Sequence, residues 1–416
     1  VPRLRRLPAV LLPLLAFASG SLPAQDADLV RLEGLHARHP QDAVVLFNLA
    51  AAHAVAGHRA EALAALMEMS RAPGGLDPGF YRGFFFLQAD ATFRRIVADI
   101  RAAHPPLVRG APAFVIPEPD LQPEGIAFDP CSRALFAGSF KGKIVRVDPD
   151  GTVTDFAAAT EPGVRRVVVG LRVDPLRRQL WAVVDDPRAF ADPALGGAAL
   201  HRYSLDDGRL LARYPGPPTG ALNDVAVLPD GMACATGTSD GSLWCLRPDR
   251  PRMEEFLPPG TIPEANGLVA GPDGRTLYVA GGHDIHRVDL ASRVVRTLPA
   301  PPGFPTGSFD GLYWYRGGLV GIQNGIHPGR VVRLRLDAPG DRIVEAEVLE
   351  RYHPLFNGMT TGALDGDSFL YIANTQSRAF RGDGTPIDPA ALADIVILRL
   401  ALAPDGAAPP ATPRGP

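Results

Sequence analysis

From residue 123 onward, apolar and polar positions alternate in short runs separated by Asp-Pro, Pro-Asp-Gly and Gly-Gly. Period-two alternation over four to eight residues is the pattern of a half-buried β-strand, and turn residues of this kind mark its ends. One unit returns six times. It starts with a polar residue, usually followed by glycine, then an alternating strand, a turn and a second apolar strand. The openings are PEGIAFDP (123–130), VVGLRVDP (168–175), LNDVAVLPDG (222–231), ANGLVAGPDG (265–274), FDGLYWYRGG (309–318) and FNGMTTGALDGD (356–367). Second strands follow at matching offsets: ALFAGSF, QLWAVVDD, MACATGT, TLYVAGG, GLVGIQNG and FLYIANT. Third strands such as GKIVRVDPDG (142–151) and GRVVRLRLD (329–337) close several units. A repeat of about 40–50 residues carrying four short strands is the signature of a propeller blade. The chain is therefore predicted to be mainly β, a six-bladed β-propeller over residues 106–402. APAFVIP (111–117) is predicted to pair in the sheet that holds DIVILRLAL (394–402), which would close the ring and hide exposed edges.

Ahead of the repeats, residues 26–105 change to helical spacing. AVVLFNLAAAHAVAGHRAEALAALMEM (43–69) places apolar residues on one face, interrupted at Gly57. This stretch resembles a tetratricopeptide unit, with Leu46, Leu49, Ala50, Gly57, Ala62 and Leu66 where that motif wants large and small residues. A single unit cannot bury its own faces. Neighbours at 29–35 and 84–100 are expected to supply the rest. The small α-helical, tetratricopeptide-like segment fits a cap packed on the main domain better than a peptide-binding platform, although a protein partner through these helices stays open.

Composition adds few constraints. A net charge of −3 gives no reason to expect nucleic acid or an anionic membrane as partner. The abundance of glycine (44) and proline (43), without a collagen period, suits many short strands and turns. Residues 1–20, VPRLRRLPAVLLPLLAFASG, have an arginine-bearing start, a short apolar run and small residues after it, the layout of a secretory signal peptide. No other stretch approaches a membrane span, so an exported protein, periplasmic or secreted, is expected. Residues 403–416 are Pro/Ala/Gly-rich and read as a disordered tail. Three cysteines do not make a disulfide framework. Cys234 and Cys245 flank the turn at Ser239-Asp240-Gly241 and could face each other across a hairpin, or be two buried free thiols.

In a propeller the first strand of each blade starts near the central channel, so equivalent opening positions form a ring. Here they read Glu124, Val169, Asn223, Asn266, Asp310 and Asn357. Carboxylates and carboxamides converging on one axis would be costly to bury unpaired. An all-oxygen set of this kind matches a hard cation, Ca2+ first, with Mg2+, Mn2+ or Zn2+ as other candidates. Asn-Gly and Asp-Gly are also common turn dipeptides. That alternative is weaker for Glu124 and for Asn223, which precedes aspartate.

Taken together, PEGIAFDP, NDVAVLPDG, ANGLVAGPDGRTLYVA and FDGLYW resemble the senescence-marker-protein/gluconolactonase (regucalcin-like) family of six-bladed propellers, whose distant relatives include paraoxonase and diisopropylfluorophosphatase. The resemblance spans the propeller. It implies a metal held by Glu124, Asn223, Asn266 and Asp310, and hydrolysis of a small-molecule lactone or related ester, with phosphotriesters as a promiscuous class. Asp310 would orient or deprotonate a water, or itself attack. Asn357 has no role in that set and is kept as a substrate-contact candidate, with Arg188 in the loop VVDDPR and with His283 and His327 after second strands. No G-x-S-x-G element, phosphate loop or dinucleotide fingerprint appears. The alternative is a non-catalytic ligand- or protein-binding propeller with a helical interaction platform; a scaffold, however, has no use for a carboxylate–carboxamide ring.

Overall fold

The computed structural model describes residues 22–72, 74–159, 165–192 and 194–402. The expected signal peptide and tail lie outside them. Six four-stranded antiparallel sheets follow one another along the chain, and each is a blade. The first strands of blades 1 to 6 are Pro123–Phe128, Val167–Asp174, Leu222–Val227, Leu268–Ala270, Phe309–Tyr315 and Gly362–Asp365. Blade 6 is completed by Ala111–Ile116, which pairs antiparallel with Ile395–Ala401 from Ala111↔Arg399 to Ile116↔Ile395. The ring is thus closed by the two ends of the propeller sequence, as the edge argument required. Apolar faces of adjacent blades interdigitate, with Phe136, Tyr203, Phe309, Phe369 and Tyr371 among the fully buried side chains. Cys234 and Cys245 sit directly opposite on adjacent strands of blade 3 and are disulfide-bonded. That pairing accords with an oxidising compartment. Cys131 is free and exposed.

Among the described residues four α-helices precede the blades: α1 (Leu22–Arg38), α2 (Ala43–Val55), α3 (Arg59–Met69) and α4 (Ala91–Ala103). Asp42 and Asp90 cap α2 and α4 by accepting backbone N–H bonds in their first turns. Gly57, at φ +80°, makes the turn between α2 and α3, whose contact residues Leu46, Ala50, Ala62 and Leu66 are buried. Their apolar cluster extends to Ile326 of the propeller. The remaining seam is polar: Arg330 Nη1 donates to Gly74 O (2.6 Å), Asp77 N to His327 O (2.6 Å) and Tyr352 Oη to Asp77 Oδ2 (3.1 Å). The helical segment is therefore seated on blade 5, and Asp42 also lies within electrostatic reach of His283 and Asp284 in blade 4. No helix among the described residues is long and apolar enough to cross a membrane.

Candidate functional site

In five blades the inner strand opens with the same irregularity. The pairing of first and second strands jumps from Pro123↔Ser139 to Ile126↔Ala137 in blade 1, leaving Glu124 and Gly125 in a bulge. Val169-Gly170 and Asn223-Asp224 are skipped in the same way in blades 2 and 3, and Asp310 in blade 5. Blade 4 shows the equivalent bonds, with Asn266 N donating to Ala280 O and Ala280 N to Gly267 O. A β-bulge re-aims a side chain out of the pleat, here at the end of the channel. The glycine that follows is explained by close approach. A Cβ at Gly125 would lie 1.8 Å from Val169 O, one at Gly170 2.5 Å from Asn223 O, and one at Gly267 2.8 Å from Asp310 O. Gly125, Gly170 and Gly267 thus abut the ring residue's carbonyl in the next blade, whereas a Cβ at Gly311 would meet Tyr313 Oη (2.6 Å) on its own strand.

This register corrects one ring position. In blade 6, Thr360 N donates to Ile372 O and Ile372 N to Thr361 O, the same pair of bonds that defines Asn266 in blade 4. Thr360, not Asn357, is the sixth ring residue. Asn357 is exposed and precedes Gly358 at φ +80°, so it occupies a surface turn. Where glycine is replaced in the bulge, a side chain makes the inter-blade contact instead. Thr361 Oγ1 donates to Glu124 O (2.5 Å), and Asp224 Oδ2 accepts from Leu268 N (3.2 Å).

The structure brings Glu124, Asn266, Asp310 and Thr360 together. Thr360 Oγ1 donates to Asp310 Oδ2 at 2.5 Å and also acts on Glu124; with one hydroxyl hydrogen it can satisfy one acid at a time. Asn324 Nδ2 donates to Asp310 Oδ2 (2.5 Å) and to Met359 O (3.1 Å). Asn324 follows the second strand of blade 5, outside the repeat's opening, and the sequence reading did not single it out. Asn266 also bonds Asp310, while its own Oδ1 is buried without a partner. Burial, and then the charge of Asp310, push the Glu124 carboxyl well above the usual range. Burial raises Asp310 too, against the bonds from Thr360, Asn324 and Asn266. Asn223 is buried at the equivalent position of blade 3.

Beneath the ring, Arg172 crosses the channel. It donates to Val225 O (3.1 Å) and Leu268 O (3.4 Å), approaches Asp224 Oδ2 to 3.6 Å and lies over the Tyr313 ring. Tyr313 Oη accepts from Gly362 N (2.7 Å), so blades 2, 3, 4, 5 and 6 are tied to one plug.

Other candidates stand apart. Arg188 is exposed and paired with Asp186 (2.6 Å). His327 packs on Phe80 at the helical seam, and burial pulls its pKa down to about 4. His283 Nδ1 is buried without a partner beside the same seam. Asp185, in the same loop as Arg188, ties two blades together by accepting from Asp186 N (2.7 Å) and from Leu222 N of blade 3 (2.8 Å).

Burial lifts Asp185 to about 7 despite those two bonds and the charge of Arg166. Because the folded pKa exceeds the ordinary value of 3.8, the folded protein holds a proton that the unfolded chain gives up. Its stabilising contribution is complete below about pH 4 and is lost as pH rises through about 7. Asp185→Asn should therefore change the wild-type-minus-variant stability by on the order of 3 kcal/mol between pH 4 and pH 8, read from urea unfolding. A difference independent of pH would refute this account.

The fold and the ring define a class: a six-bladed β-propeller with a buried, oxygen-rich axial site. No protein-family model matches the sequence, and no curated protein matches it. Among solved structures it is similar to an oxidoreductase described as a glucose dehydrogenase from Thermus thermophilus (16% identity, TM-score 0.45, 71% of this chain and 99% of that one). It is also similar to the PQQ-bound aldose sugar dehydrogenase of Streptomyces coelicolor (16%, 0.46, 71% and 96%) and to virginiamycin B lyase of Staphylococcus aureus (15%, 0.44, 69% and 97%). At such identities activity does not transfer, and the site's own chemistry has to speak for it.

The donors at the ring fit a hard cation: two carboxylates, two carboxamides and no nitrogen or sulfur ligand. Among the described residues no cluster of three or more His, Cys, Asp or Glu side chains is placed to hold a metal, so any ion here depends on the asparagines.

Proposed function

We propose that the protein is a metal-dependent hydrolase that opens a lactone or related ester at a cation on the propeller axis, with phosphotriesters as a secondary class. The observation that carries this reading is the orphaned Oδ1 of Asn266 beside two carboxylates, buried Asp310 and half-buried Glu124, whose pKa values are both raised. Like-charged acids and an unpaired carbonyl oxygen are stabilised together by one divalent ion. Glu124, Asn223, Asn266 and Asp310 would hold it, and Ca2+ suits an all-oxygen set best. When bound, such an ion supplies Lewis acidity toward a carbonyl or phosphoryl oxygen.

The chain's own groups divide the remaining work. Asp310 is fixed by two donors on Oδ2, from Thr360 and Asn324, and so is held in one orientation to accept a proton from an attacking water. Glu124 supplies charge, and the Arg172–Asp224–Tyr313 plug closes the channel beneath the ring. Metal analysis of the purified protein, with a lactone, aryl-ester and phosphotriester panel run with and without chelator, tests the proposal. About one equivalent of Ca2+ and chelator-sensitive turnover of a lactone is expected. Bound metal without turnover of any ester would replace the hydrolase by a binding propeller, and a protein that takes up no divalent ion would refute the metal-dependent hydrolase.

A further inference from the structure

Asp310 is approached by two pieces of chain, and one buried side chain holds both. Gln323 lies on the middle of three paired strands, opposite Phe309 on one side and Arg330 on the other. It is fully buried, and its Nε2 donates to Pro305 O (2.9 Å) and Gly307 O (2.8 Å), in the loop that leads into Asp310. The next residue, Asn324, holds Asp310 Oδ2. Gln323 Oε1 accepts from Arg330 Nε (2.7 Å), and Arg330 Nη1 donates to Gly74 O of the helical segment (2.6 Å). Gly74 also touches that loop directly. A Cβ there would lie 2.5 Å from Ala43 Cβ, at the start of α2, and 3.4 Å from Pro305 Cδ.

Arg330 is a costly residue for a seam. It is buried, its Nη2 has no partner, and among the described residues no carboxylate pairs with it. Burial and the charge of Arg351 pull its pKa down to about 9. An apolar side chain could fill the space without burying a charge, but the planar fork of N–H groups is what joins Gln323 to the helical segment. We propose that Gln323 and Arg330 are positioning residues, which tie the aim of Asp310 to the seating of the helices. The inference rests on the hydrolase reading above and gives the helical segment a part in that site. Releasing the relay frees the loop before Asp310 and the strand end that carries Asn324 together, and a displacement of about 1 Å at a reacting group costs on the order of a hundredfold in rate.

The test uses the full chain with Gln323→Glu, Gly74→Ala, their double variant, and Tyr352→Phe. Glutamate at 323 keeps the bond to Arg330 but cannot donate to the two loop carbonyls. Gly74→Ala forces the seam apart with no change at the ring, and Tyr352→Phe breaks a seam bond that lies off the relay. Gln323→Glu should lower kcat for a lactone by about tenfold or more with KM within about twofold, and Gly74→Ala by about fivefold. The double variant should lose much less than the product of the two, because both act through one linkage. Tyr352→Phe should leave kcat unchanged. If Gln323→Glu does not fold, Arg330→Lys, which keeps the charge and one partner, should give an intermediate kcat. Multiplying effects, an unchanged kcat in Gly74→Ala, or an equal loss in Tyr352→Phe overturns the assignment. If no ester is turned over, calorimetric Ca2+ affinity read in the same variants separates the two claims. The same non-additive pattern upholds the positioning role while the hydrolase reading fails, and equal affinities reject it. If no Ca2+ binds, amide hydrogen exchange over residues 305–311 decides: faster exchange in Gly74→Ala but not in Tyr352→Phe upholds the linkage, and unchanged exchange rejects it.

Discussion

Asp310→Asn should lower kcat/KM for a lactone substrate by about a thousandfold or more and, in the presence of chelator, raise the melting temperature above that of the wild type. The two halves of this expectation have one cause. Asp310 is buried and Glu124 half-buried beside it at the head of the channel, and both are pushed toward the protonated form. Without a cation at neutral pH, the folded state bears the cost of holding them there. Asparagine keeps the shape of the side chain and can still pair with Thr360 or Asn324 through its oxygen, but it brings no charge. The metal-free variant is relieved by a few kcal/mol, which in a protein of this size moves the melting point by several degrees. Addition of Ca2+ should reverse the order, because only the wild type retains the full ligand set and gains binding energy on folding. Glu124→Gln should behave alike. Activity and differential scanning calorimetry on the same samples decide the matter. A variant that loses activity and also melts lower in chelator would show that Asp310 is there to hold the fold.

The blades were legible because strand alternation and turn residues are local signals, and six copies of a local signal reinforce one another. The ring was legible for five blades because the ring residue is followed there by Gly125, Gly170, Asp224, Gly267 or Gly311, with the second strand starting seven to ten residues further on. Blade 6 broke the reading for a physical reason. Thr361 replaces the bulge glycine and holds Glu124 O with its hydroxyl, while an Asn357-Gly358 turn three residues earlier imitates the missing pattern. Asn324 was hidden differently: it reaches Asp310 from a loop, where no period marks it. The seam under the helices was out of reach altogether. Arg330 joins Gln323 on its own blade to Gly74, 256 residues away in sequence, and nothing in either neighbourhood announces the other. That Cys234 and Cys245 could face each other was visible from the turn between them, but neither their exact register nor their oxidation was.

Gly125→Ala should abolish soluble folded protein, or cost upwards of about 4 kcal/mol, even though alanine is the smallest side chain available. Its Cβ would lie 1.8 Å from Val169 O and 3.0 Å from Leu171 N. Both are backbone atoms, and Val169 is held between Val168↔Val184 and Leu171↔Ala182 in the blade-2 ladder. Neither blade can retreat without breaking its own pairing, so the collision has no soft side chain to absorb it. Gly317→Ala is the control. Gly317 has a left-handed backbone at φ +79° and open space around its Cβ, so it should lose only about 1–2 kcal/mol. Urea unfolding of the two variants discriminates between the reasons a propeller keeps glycine after its ring residues. If Gly125→Ala behaves like Gly317→Ala, the Glu-Gly, Asn-Gly and Asp-Gly steps are ordinary conformational requirements. If it fails to fold, they report contact between neighbouring blades and are evidence for the architecture alone. The chemistry then resides wholly in the preceding residue, and Glu124, Asn223, Asn266 and Asp310 stand out against Val169, which shows that the bulge itself tolerates an apolar side chain.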